Sequence, residues 1–200
     1  MKEIFKDYLN QDIKLEKYQK IGIFCLISVI SGIFGWLYEF IFYFFNDGKF
    51  SFQGGNFLPW INIYAIGALM IVFLTRKRKN KPLEIFIISL ISTGILEYFS
   101  GLAIYKIGNG LRYWDYNTEI LNFGNINGFV CLRSVTFFGF SGLLLMYLIL
   151  PICIYLSKKM NKKLFLRISI SLLSIILFDE FYNLIIAKIF NLPRAVNIYK

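Results

Sequence analysis

The chain has 200 residues, with 22 lysines and arginines against 12 acids and no histidine, for a formal charge of +10. Its 57% hydrophobic and 19% aromatic content and mean hydropathy of +0.59 exceed what an ordinary soluble domain carries, so it reads as an all-α, polytopic membrane protein. The lack of histidine removes histidine triads and a histidine general base. Cys25, Cys131 and Cys153 show no Cys-x-x-Cys spacing, so neither a metal site nor a cofactor is expected. No Gly-x-x-x-x-Gly-Lys-Ser/Thr loop is present, which excludes ATP hydrolysis by P-loop chemistry.

Residues 1–20 are too charged for a signal-peptide core and are expected to be retained. Ile4, Phe5, Tyr8, Leu9 and Ile13 recur at helical spacing, which predicts an amphipathic cytoplasmic or interfacial segment; a solvated tail is the alternative. Five apolar segments follow, at Ile21–Phe45, Phe57–Thr75, Leu83–Tyr105, Phe129–Ser157 and Leu164–Ala187. Each approaches the roughly 20 residues that a spanning helix needs. Five transmembrane helices therefore fill a single domain over 21–190, with a tail at 191–200.

Pro82 opens the third helix with Glu84 beside it, Pro59 sits near the start of the second, and Pro151 should kink the fourth. Loops 46–56 and 106–128 are rich in Gly, Asn and aromatic residues, so both are expected to be ordered, the second as a lid. Basic residues gather at Lys2–Lys20, at 76–81, and at 158–163 with Arg167. That alternation places the N terminus inside and the C terminus outside a bacterial cytoplasmic membrane, with anionic lipids as partners and no role in nucleic-acid binding. The stretches "NFLPWINIYAIGAL" and "GFVCLRSVTFFGFSGL" repeat a spacing, which reads as a duplicated helical hairpin plus one further helix.

Ionisable residues inside spans cost about 3 kcal/mol each, so each is a functional candidate. Here they are Glu39, Glu97, Arg133, Asp179 and Glu180, at similar depths near the outer boundary. Ser28, Gly32, Gly35 and Glu39 fall on one stripe, and Ser89, Thr93, Glu97 and Ser100 on another, which points both acids inward. Four acids against one arginine leave three excess negative charges. One solution is an outward-opening acidic cavity; another has Arg133 neutralise one or two carboxylates as a folding device. Asp115 and Asp179 could instead form an aspartic dyad.

The order "GWLYE", "LPWINIYAIGAL", "LEY", "WDY" and "NINGFVCLRS", from about Gly35 to Leu143, resembles the bacterial family of putative ABC-transporter type IV, or CmpB-like, permeases. The resemblance implies a multipass inner-membrane protein with Glu39, Glu97, Trp114, Asp115, Asn127 and Gly128 at motif positions. It departs at Phe129, where the pattern has a basic residue and this chain places Arg133 one turn later. A separate ATPase or another membrane subunit is the partner it implies. The expected function is a permease-like or substrate-capture subunit whose cavity takes a polar or cationic solute or a lipid headgroup. The candidate ligand-binding residues are Glu39, Glu97, Arg133, Asp179, Glu180, Trp114, Asp115 and Asn127. An intramembrane enzyme acting on a lipid or peptide, and a structural or regulatory subunit, are the alternatives.

Overall fold

The structure is a computed structural model that describes residues 2–10 and 13–198. Met1, Gln11 and Asp12 of the N-terminal segment and Tyr199 and Lys200 of the tail lie outside the described residues. Helices run over Lys2–Leu9 (α1), Lys17–Asp47 (α2), Asn62–Thr75 (α3), Pro82–Ile107 (α4), Leu132–Lys159 (α5), Lys162–Ile189 (α6) and Ala195–Ile198 (α7). Among the described residues the sole extended pairing is an antiparallel bridge between Ile126 and Val130. Of these helices, α2, α4, α5 and α6 are long and apolar enough to cross a bilayer. The protein is a polytopic helical membrane protein.

Local chemistry sets the helix ends. The Gln19 side chain accepts the Glu16 N–H at 3.0 Å and α2 ends where Gly48, at φ 70°, donates back to Phe44, the left-handed stop that glycine makes without strain. Pro82 opens α4, and Glu84 beside it pairs with Arg78 at 2.9 Å and Lys81 at 2.6 Å. The Asn161 side chain caps α6 by accepting the Lys163 N–H.

The second apolar segment departs from expectation. It becomes helical only at Asn62, and α3 has 14 residues, about 21 Å of rise against a hydrocarbon core of about 30 Å. Pro59 has no N–H and forces Leu58 away from helical geometry. Residues 57–61 therefore need other partners for their amides.

The expected kink at Pro151 takes a specific form. Residues Leu145–Ile149 make a π-helical turn within α5, closed by the Leu150 N–H on Leu145, immediately before the proline that cannot donate. A second π-helical turn, Tyr182–Ile186, interrupts α6. It lets the Asn183 side chain accept the Ala195 N–H at 2.8 Å, and Tyr182 donates to the Pro193 carbonyl.

The chain divides into two compact units, Met1–Ile13 with Met70–Pro151 (unit 1) and Lys14–Leu69 with Ile152–Lys200 (unit 2). In unit 1, α4 packs along α5, with Gly139 against the Phe86 ring and Gly142 against Ser89. In unit 2 the main neighbour of α2 is α6, and Val29, Trp60, Ala65 and Ile176 form a core with Leu58 and Leu173 packed on it.

Tyr8 is fully buried in unit 1, with the Lys79 ammonium 4.2 Å from its ring centre. Burial pushes the Lys79 ammonium down and the Tyr8 phenol up from their ordinary ranges.

Gly32 on α2 lies directly under the Trp60 indole, and Gly35 under the Tyr64 ring. A side chain at Gly32 would strike the indole, so Gly32→Val is expected to destabilise unit 2 by about 1–3 kcal/mol. Thermal exposure of the buried thiol Cys25 to a maleimide fluorophore measures it: the midpoint should fall in the variant.

Candidate functional site

In unit 1, Glu97 is 5% exposed on the α4 face that also buries Ser89 and Thr93, as the helical spacing predicts. The connection between α4 and α5 folds back over this acid. Its Tyr116 hydroxyl donates to one Glu97 carboxylate oxygen. Ser134, in the first turn of α5, donates to the other at 2.8 Å. The Tyr116 N–H is fixed in turn on the Gly128 carbonyl at 3.0 Å. Burial, followed by the Glu97 charge, pushes the Tyr116 phenol well up, so it remains a hydrogen-bond donor.

Arg133 is the second residue of α5, and it forms an ion pair with Glu119 at 2.6 Å, both side chains being nearly buried. Its guanidinium also sits 5.3 Å from the Tyr116 ring centre. Arg133 thus meets an acid from the connecting loop, where sequence reasoning sought an intramembrane one. Glu119 escaped that reasoning because it lies in a polar loop, where an acid carries no desolvation signal. Tyr116 and Ser134 escaped because hydroxyl residues are unremarkable in sequence.

Trp114, Asp115 and Asn127 shape the same loop. The Trp114 indole N–H donates to the Phe129 carbonyl at 3.0 Å. Asp115 accepts the Asn117 N–H and side-chain amide through one oxygen, at 3.1 and 2.7 Å, and faces Arg112 at 3.5 Å, an Asx turn. Asn127, at φ 56°, donates to Tyr98, while its carbonyl accepts Arg112 at 3.0 Å. Gly128 follows at φ 76° with Asn117, Asp115 and Arg112 pressed against it, a position that excludes any side chain.

In unit 2, Asp179 on α6 supplies the acceptors that residues 57–61 lack. Its carboxylate takes the Leu58 N–H at 2.8 Å, the Phe57 N–H at 3.3 Å and the Asn183 side-chain amide at 2.9 Å. Glu180 accepts from Asn62, the first residue of α3, at 2.5 Å. The Trp60 indole donates to the Ser28 carbonyl at 3.0 Å and the Ile61 N–H to that of Gly32 at 3.2 Å. Glu39 is half-buried on α2, one turn beyond Gly35.

Glu97 and Arg133 therefore join one cluster with Glu119, Tyr116 and Ser134, while Asp179 and Glu180 grip the segment that leads into α3. The acids are answered chiefly by neutral hydrogen-bond donors, which hold a carboxylate in place without a buried cation. Asp115 and Asp179, candidates for an aspartic dyad, are each engaged within their own unit.

Removing Glu119 strands a nearly buried guanidinium, so Glu119→Ala should cost about 3–5 kcal/mol. Tyr116→Phe deletes one bond to a buried carboxylate and should cost about 1–3 kcal/mol. Glu119→Ala with Arg133→Met should recover part of the first loss. Unfolding midpoints read from exposure of the buried thiol Cys131 test all three.

In comparison with known proteins, the family model described as "Putative ABC-transporter type IV" aligns with residues 23–184. No curated protein and no solved structure matches the chain. That family alignment covers α2 to α6 and both loop-gripping clusters, and the chain belongs to the putative ABC-transporter type IV family.

Proposed function

We propose that this chain is a non-catalytic, permease-like or substrate-capture subunit of a transport system in the bacterial cytoplasmic membrane. The observation that carries this reading is the family match over most of the spanning helices, in a chain without a nucleotide-binding loop. A separate ATPase supplies the energy. The N terminus and the basic turns lie inside and the C terminus outside, following the positive-inside rule, with α3 and the non-helical residues 57–61 together making the fifth crossing. The ligand is a polar or cationic solute or a lipid headgroup that reaches the acidic side chains of the outer half.

The acids divide by task. Glu97, Asp179 and Glu180 accept bonds from connecting segments, which makes them positioning residues. Glu39, half-buried on α2 and the acid of the motif stretch "GWLYE", is the carboxylate assigned to the ligand, whatever contacts it makes within the protein. The engagement of Glu97, Asp179 and Glu180 favours one second reading, a structural subunit whose charges only fix its connections.

A panel of organic cations and phospholipid headgroups, screened by thermal shift on the detergent-purified protein, separates the two. In the transport reading Glu39→Gln keeps the unliganded midpoint within about 1 kcal/mol of wild type and abolishes the shift that a panel member gives to wild type. Equal shifts in both proteins, or none from the whole panel, count for the structural reading.

A further inference from the structure

The connection between α4 and α5 is turned inside out relative to a water-facing loop. Loops over water expose charge and bury their apolar residues. Residues 108–131 contain three charged side chains, Arg112, Asp115 and Glu119, and none of them is exposed. Arg112 and Asp115 face each other with 24% and 31% of their side chains accessible, and Glu119 is buried with Arg133. Arg112 also lies between the Tyr105 and Phe129 rings, 4.9 and 4.4 Å from their centres.

The apolar residues take the opposite course. Tyr113, Leu121, Phe123 and Ile126 are 63%, 61%, 55% and 54% exposed. Leu121 is held at φ 54°, a left-handed conformation that a leucine rarely adopts, and there its side chain points outward. The loop leaves α4 at Ile107 and re-enters at Leu132, itself half exposed, so both ends emerge from helices that carry apolar surface to the same level.

We infer that residues 108–131 lie against the bilayer, with Leu121, Phe123 and Ile126 seated in the lipid interface of the leaflet where α4 ends. The occupant of this apolar face is the bilayer itself. A lipid environment accounts for both halves of the pattern: exposed apolar side chains gain by leaving water, while charges in a region of low dielectric must be paired or hydrogen-bonded. The polar rim of Asn117, Thr118 and Asn127, all exposed, then faces water beside the headgroups. This placement goes beyond the transport reading and does not depend on it, because it rests on the exposure pattern of one loop.

The test uses the full chain in phosphatidylcholine nanodiscs whose acyl chains are brominated near the headgroup, with Phe123→Trp as reporter. Wild-type emission, from three tryptophans, is subtracted as background. The expected result is that the added emission is quenched several-fold by the brominated lipid and only weakly by aqueous iodide. Iodide quenching equal to or stronger than lipid quenching overturns the inference. Ile126→Trp gives the same reading from the other side of the patch should the first variant fail to fold.

Discussion

A carboxylate on an apolar helix has to be met by hydrogen-bond donors, and in this protein non-helical segments supply several of those donors. Glu97 is met by Tyr116 and Ser134, and Asp179 by the Phe57 and Leu58 amides. The dependence is mutual. Residues 57–61 lose helical bonding at Pro59 and need an acceptor, while Asp179 needs donors, so each settles the desolvation cost of the other. The same logic fixes the loop over α4, where the Tyr116 hydroxyl is aimed at Glu97 by its own N–H on Gly128.

Much of the fold was legible because it follows from apolar length. The edges of α2, α4 and α6 lie close to the boundaries drawn from hydropathy, and Pro82 marks a helix start as its chemistry requires. The start of α3 was not legible to hydropathy, since Phe57 to Ile61 are as apolar as the helix they precede; only Pro59 hinted at the break. The π-helical turns carry no sequence signal beyond Pro151. For the clusters, helical angle pointed Glu97 inward correctly but could not say what met it, because its partners come from residues 19 and 37 positions away. Arg133 was identified as a charge to be paired. Its partner Glu119 stayed hidden because pairing across a loop depends on three-dimensional closure.

Membership of the family sets the functional frame, and the geometry narrows what the acids do within it. A site built from Glu97, Asp179 and Glu180 as direct ligand groups would have to break the bonds that hold the connecting segments. Glu39 lies on the face of α2 where Gly32 and Gly35 let Trp60 and Tyr64 approach closely. In the transport reading, Asp179 holds residues 57–61 of unit 2 and Glu39 of the same unit supplies the charge. Two spanning helices depart from regular bonding at the wide turns Leu145–Ile149 and Tyr182–Ile186.

The central claim is that intramembrane acids hold the non-helical connections. Residue-resolved hydrogen exchange on Asp179→Ala tests it most directly. Exchange at the Phe57 and Leu58 amides should rise about tenfold or more, as the loss of charge-assisted hydrogen bonds of about 1.5–3 kcal/mol requires, while the amides of 112–128, held by Glu97 and Tyr116, keep their protection. Unchanged protection at Phe57 and Leu58 would contradict the account.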